Sequence, residues 1–295
     1  MNPPIGQEAV SMHTMRNKGF TLIELIIVIV IAGILSVVIA PLIGNRFSAA
    51  YQSTQRAYWV QQAEQAFIQI RRDLANSVPN SVFIADSNDS NVEFLTAPAT
   101  ISAYAIRYRN SANAPYDHLS LYNDNSFDTF VDVSEVPAYI SINTENADDL
   151  RDQAGNLNSL GSDISVAQIA SASTGTAENG SPITTITLSS SHSFSGHSPY
   201  YRGYFFDGPV GYQCDTTNGY LYRYADYSSI DPLSSFTTRT LNARQDRIIS
   251  RLKSCAFSIV EGGVYSPPVL QISIEVGDDN ESVQLIETIL LSNAS

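Results

Sequence analysis

From Phe20 to Ile43 the chain runs for 24 residues with one charge, Glu24. As a helix that run is about 36 Å long at 1.5 Å per residue, enough for a hydrocarbon core of about 30 Å. Gly33 lowers helix propensity inside it. Pro41 lacks an N–H and crowds the carbonyl of Val37, so Gly33 and Pro41 mark the expected helix break. After Gly44 the pattern becomes amphipathic. Ala63, Ala66, Phe67, Ile70 and Leu74 follow the spacing of one helical face, which Phe47, Tyr51 and Tyr58 extend upstream, and Val78-Pro79 ends it.

Beyond Pro79 the period shortens to that of strands. Expected strands are 92–97, 103–108, 119–123, 183–188, 204–212, 220–224, 256–260, 269–276 and 282–291. The clearest is 269–276, where Leu270, Ile272, Ile274 and Val276 alternate with Gln271, Ser273 and Glu275. The turn GDDN joins it to the last strand as an antiparallel hairpin. Residues 143–182 are rich in small polar residues and read as a surface insertion. Residues 244–253, RQDRIISRLK, read as a short amphipathic helix through Ile248, Ile249 and Leu252. The expected class is α+β: a long N-terminal helix, transmembrane and then amphipathic, packed on an antiparallel sheet with loop insertions.

Charge and composition narrow the partners. The chain has 295 residues, 29 acids against 16 bases, and only two lysines, Lys18 and Lys253. A net charge of −13 disfavours chain-wide attraction to nucleic acid, so no nucleic-acid partner is expected. Arg16 and Lys18 precede the apolar run, which orients residues 1–19 toward the cytoplasm and exports the rest. Cys214 and Cys255 are the two cysteines; export favours a bridge over two thiols.

Catalytic patterns are missing from the sequence, with no H-E-x-x-H, G-x-S-x-G or phosphate-binding loop, so no enzyme activity and no cofactor are expected. His192 and His197 read as a polar surface turn more readily than as metal ligands, and no metal site is expected. Asp86, Asn88, Ser90 and Glu93 faintly match the start of a calcium loop, but Asn91 stands where its glycine belongs. Three clusters combine tyrosine with arginine: AIRYR at 105–109, YYRGYFF at 200–206 and YLYRY at 220–224. They suit either ring stacking on sugars or bases, or tyrosine-rich strands with outward arginines.

A carboxylate within an apolar span needs a partner. The string Lys18-Gly19-Phe20-Thr21-Leu22-Ile23-Glu24 resembles the class III signal of type IV pilins and of type II secretion pseudopilins. The resemblance implies that a prepilin peptidase and N-methyltransferase cleaves between Gly19 and Phe20 and methylates Phe20. The mature chain would have 276 residues. Glu24 would then serve assembly, paired with the Phe20 amine of a neighbouring subunit. Initiation at Met12 or Met15 would give a leader of eight or five residues, closer to the family's short basic leaders.

The domains implied are a leader (1–19), a membrane and filament-core helix (20–43), its amphipathic continuation (44–78) and an exported β-rich head (79–295) in a pilin α/β roll. In similar pilins the 33–41 segment loses helix within the filament. The implied partners are other major and minor pilins, the inner-membrane assembly platform and membrane lipid. The implied location is the bacterial inner membrane, single-pass, and then the surface filament. A disulfide between Cys214 and Cys255 fits the C-terminal bridge of major pilins. A structural minor pilin, a secretion pseudopilin, and a tip adhesin or DNA-binding pilin all share these N-terminal features.

Overall fold

The computed structural model describes residues 19–84, 89–97, 105–109, 117–130, 136–144, 150, 165–176, 180–227, 235–263 and 266–291, without the side chains of residues 38 and 40–45. Two compact units divide the chain at residues 55 and 56. Helix α1, Leu22–Ala75, begins in the first and ends in the second.

In the first unit α1 is apolar on all sides. Leu22, Ile23, Leu25 and Ile26 are exposed at steps of about 100° around the axis, so no face is sheltered. In the single chain backbone helix runs through Gly33 and Pro41. Among the described residues no helix is long and apolar enough to cross a membrane. The described apolar side chains of 22–37 cover about 24 Å, short of a bilayer core of about 30 Å. The span expected over 20–43 therefore rests on the sequence.

In the second unit the rest of α1 buries one face. Ala63, Ala66, Phe67, Ile70 and Leu74 are buried as the spacing predicts, and Trp59 extends the face upstream. Tyr58, expected on that face, is exposed instead, and Phe47 and Tyr51, which belong to the first unit, are exposed there. Trp59 lies four residues before Ala63, and Tyr58 is rotated by about 100° from it.

The helix packs on two antiparallel sheets. The first has the order β1-β2-β9-β10-β11: β1 Phe83–Ile84, β2 Asn91–Thr96, β9 Gly208–Asp215, β10 Tyr220–Ala225 and β11 Arg244–Ser250. The second comprises β12 Leu252–Val260, β13 Val269–Gly277 and β14 Ser282–Leu290. Their inward residues, among them Phe94, Tyr212, Leu221, Phe257, Ile272 and Ile274, form one core with the helix.

The third sheet has the order β3-β8-β5-β6-β7-β4: β3 Ala105–Arg107, β8 Arg202–Phe206, β5 Tyr139–Ile142, β6 Val166–Thr176, β7 Pro182–His192 and β4 Asp124–Thr129. Its two ends meet. Tyr108 bridges Thr129, Arg109 N–H donates to the Asp128 carbonyl at 3.0 Å, and Phe130 N–H donates to the Arg107 carbonyl at 3.0 Å. Closure satisfies edge groups that would otherwise stay open. It encloses a second core that includes Ile106, Phe127, Ile140, Ile186 and Phe205.

Five expectations for the strand region are corrected. A single sheet becomes three. The expected strand 204–212 is two strands, because Asp207 carries the chain from the third sheet to the first. Gly208 is needed there, since a Cβ would come within 2.7 Å of the Tyr227 carbonyl oxygen. Residues 244–250 form β11, not a helix. Register skips Ile248 between β10 and β11, and the chain turns at Arg251 (φ 64°), so two irregularities copy a helical spacing. Within the expected insertion lies β6, whose small residues Gly175 and Ala172 pair with Ile183 and Ile186 of β7. Finally, 119–123 is a turn before β4: the Asp124 carboxylate accepts from Ser120 N–H at 2.6 Å, and Asn123 is left-handed at φ 52°.

Candidate functional site

The N-terminal segment is built by a cap. Thr21 precedes α1, and its Oγ1 accepts the Glu24 N–H at 3.3 Å, while the Leu25 N–H donates to the Thr21 carbonyl at 3.2 Å. Glu24 is thus the third helical residue of a T-x-x-E capping sequence. Its negative charge lies in the first turn, where the helix dipole favours it. This local role was legible in the spacing Thr21 to Glu24 and was missed. Among the described residues no hydrogen bond or ion pair engages the Glu24 carboxylate, and the residue is exposed. Gly19 and Phe20 are exposed as well, with nothing within 4 Å of a Cβ built on Gly19. Gly33 also has open space around it. The arrangement leaves an accessible peptide at 19–20, a carboxylate without a described partner, and an uncovered apolar helix.

In the second unit a disulfide joins Cys214 of β9 to Cys255 of β12, with Cα atoms 5.8 Å apart. It ties the first sheet to the start of the C-terminal one. Buried charges reinforce the same region. Asp73 near the end of α1 accepts from Arg223 Nε and from the Tyr212 hydroxyl, each at 2.6 Å. Burial opposes the Arg223 charge, but the bond to Asp73 holds its pKa above the ordinary value. Burial, then the Asp73 charge, pushes the Tyr212 hydroxyl far up. Arg239 and Glu93 pair at 3.3 Å with both side chains fully buried, and the Tyr227 hydroxyl donates to Glu93 at 2.8 Å.

A groove of about 1300 Å³ opens over these residues, lined by Arg72, Asp73, Arg223, Asp226, Arg239 and Arg244 among others. Arg244 pairs with Asp226 at 3.1 Å and with Asp246 at 3.2 Å. Most of the cations lining the groove are therefore held by carboxylates of the same chain. The network docks the end of α1 on the first sheet.

Glu93, weighed as part of a calcium loop, pairs with Arg239 and accepts from Tyr227; Asp86 and Asn88 lie outside the described residues. Among the described residues no group of three or more His, Cys, Asp or Glu side chains could hold a metal. His192 is buried against Phe194, ring centroids 4.5 Å apart, rather than in a surface turn. His197 stacks on Tyr108 at 5.9 Å, and burial, then the His118 charge, lowers its pKa. His13 lies outside the described residues. Of the tyrosine and arginine clusters, YLYRY stands alone in the first sheet, with Arg223 turned inward to Asp73 rather than outward. AIRYR and YYRGYFF are brought side by side as β3 and β8.

Residues 14–40 match the family model described as the prokaryotic N-terminal methylation motif. The match supports a type IV pilin-like or pseudopilin protein and, with it, processing by a prepilin peptidase. Neither the curated proteins nor the solved structures gave a match.

Proposed function

We propose that this chain is a structural subunit, a minor pilin that assembles into or initiates a type IV pilus-like filament, anchored in the inner membrane before assembly. The observation that carries the proposal is the uncovered apolar start of α1, with its methylation motif and its exposed Glu24. A surface of that extent needs lipid or other helices against it. Within a subunit lattice, the amine released at Phe20 neutralises the Glu24 carboxylate of a neighbour, and pairing in an apolar core sets the axial register. The disulfide and the buried ion pairs keep the head folded outside the cell. Likeness of GPVGYQC, GYLYRY, CAFSIV and LLSNAS to the O-type minor pilin of the mannose-sensitive haemagglutinin pilus supports that system as the finer assignment.

Sheared filaments from cells expressing the chain, digested and analysed by mass spectrometry, should contain a peptide that begins with N-methylated Phe20. Gly19→Val should leave residues 1–19 attached and the chain absent from filaments. Retention of those residues in the unsubstituted chain, in cells with an active peptidase, would sink the proposal. Recovery only from a secretion filament would move the chain to the pseudopilins.

A further inference from the structure

Two motifs separated by about a hundred residues meet on the outside of the closed six-stranded sheet. Arg107 of β3 lies directly opposite Arg202 of β8. Both side chains are exposed, and no ion pair engages either among the described residues. Like charges facing each other across a ladder are destabilising unless an anion lies between them. The row continues on both sides with aromatic rings. The Arg107 carbonyl accepts the Phe130 N–H across the seam, and the Phe130 ring lies 6.0 Å from the Arg107 guanidinium and 4.2 Å from that of Arg109. At the other end the Tyr200 ring lies 5.5 Å from the Arg202 guanidinium. Tyr200 is 72% exposed and Phe130 is 48% exposed.

The backbone supports the row at a cost. Tyr200 and Tyr201 both adopt left-handed conformations, φ 58° and 56°, which L-residues avoid. Strain of this kind persists where surrounding contacts over-determine it. Here the Tyr108 hydroxyl accepts the Ser198 N–H at 3.1 Å, Tyr201 N–H donates to the Ser198 carbonyl at 3.0 Å, and the Ser198 hydroxyl donates to the Arg202 carbonyl. The Tyr200 ring is therefore held outward rather than free to collapse onto the sheet.

We infer that Arg107, Arg202, Tyr200 and Phe130 form a binding site for an acidic sugar, a carboxylate-bearing unit of a glycan. Guanidiniums take a carboxylate in forked hydrogen bonds, and an aromatic face takes the apolar face of a pyranose ring. A neutral sugar would leave the opposed arginines unneutralised. A long nucleic acid would meet a chain of net charge −13 beyond this patch.

The test uses the full-length chain in detergent and a short oligogalacturonide as probe, with its methyl ester and a short single-stranded DNA as comparators, read by calorimetry. Saturable binding of the oligogalacturonide is expected. It should weaken by about tenfold or more for the methyl ester, and likewise in Arg107→Ala, Arg202→Ala and Tyr200→Ala. Arg247→Ala should bind as the unsubstituted chain does, because Arg247 lies over Tyr220 (5.0 Å) on a different sheet. Unchanged emission from buried Trp59, the single tryptophan, checks the core beneath α1 in each variant, and unchanged near-ultraviolet circular dichroism of the buried tyrosines and phenylalanines checks the third sheet. Four outcomes overturn the inference: no binding of the oligogalacturonide, equal binding of its ester, an equal loss in Arg247→Ala, or tighter Arg107-dependent binding of the DNA.

Discussion

The two parts of α1 share a backbone conformation and differ in everything their side chains meet. Residues 22–37 expose Leu, Ile and Val on every side, whereas residues 59–74 bury one stripe against two sheets and turn Arg71 and Arg72 outward. The second part finds its partner within the chain; among the described residues the first finds none. A helix that is apolar all round is unfinished as a soluble element, and its completion must come from lipid or from other subunits. Glu24 belongs to that unfinished part, and Asp73 to the finished one. Asp73 already has Arg223 and Tyr212, whereas among the described residues no hydrogen bond or ion pair engages the Glu24 carboxylate.

The largest test of this contrast is Glu24→Ala. Removing one partner of a buried pair costs about 3–5 kcal/mol, so incorporation into filaments, measured by quantitative immunoblot of sheared fibres, should fall by about two orders of magnitude or more. The isolated helix should lose only the dipole contribution of about 0.3–1 kcal/mol, and membrane insertion should be unchanged. Equal losses in insertion and incorporation would erase the distinction.

Next comes Cys214→Ser. Opening a bridge with a sequence separation of 41 should lower the stability of the second unit by about 4 kcal/mol on the chain-entropy account, measured by denaturant unfolding followed through Trp59. Helicity of the first part should not respond. A smaller contrast sets Ile70→Ala against Ile26→Ala. Ile70 is fully buried, and its truncation should cost about 2–5 kcal/mol in the same assay; Ile26 is 47% exposed, and its truncation should leave the unfolding midpoint unmoved.

The smallest effect is that of His197. Its lowered pKa favours the neutral ring in the fold. Stability is therefore fully present above the ordinary histidine value of about 6.5 and falls as the pH drops from there to the lowered value. His197→Gln should flatten that stretch of the stability profile, and an unchanged profile would show that the ring does not titrate differently in the fold.

Legibility followed the range of the physics involved. The buried face of α1 from Ala63 to Leu74, the hairpin of β13 and β14, and the strands read at 220–224 and 256–260 are written in local periodicity, which one segment specifies for itself. The failures each needed a second segment. Ile248 reads as helical until β10 pairs with β11 and leaves it in a bulge. The strand β6 has too few large residues to be seen without β7. Tyr58 looked like a core residue because aromatic character was weighed above its angular position beside Trp59.

At the candidate site, Gly19, Phe20, Thr21 and Glu24 could be read directly, since a signal recognised in an extended or membrane-bound chain must be carried by contiguous residues. The row Tyr200, Arg202, Arg107 and Phe130 could not. Its motifs were visible separately, but only closure of the third sheet placed them on one face. The chemistry of the N-terminal segment and the existence of its helix follow from the residue order, because both depend on neighbours a few residues away. Tertiary structure alone decided how the strands divided among three sheets, which charges were buried in pairs and which arginines were left facing each other. Those outcomes depend on which strand edges meet across long stretches of chain.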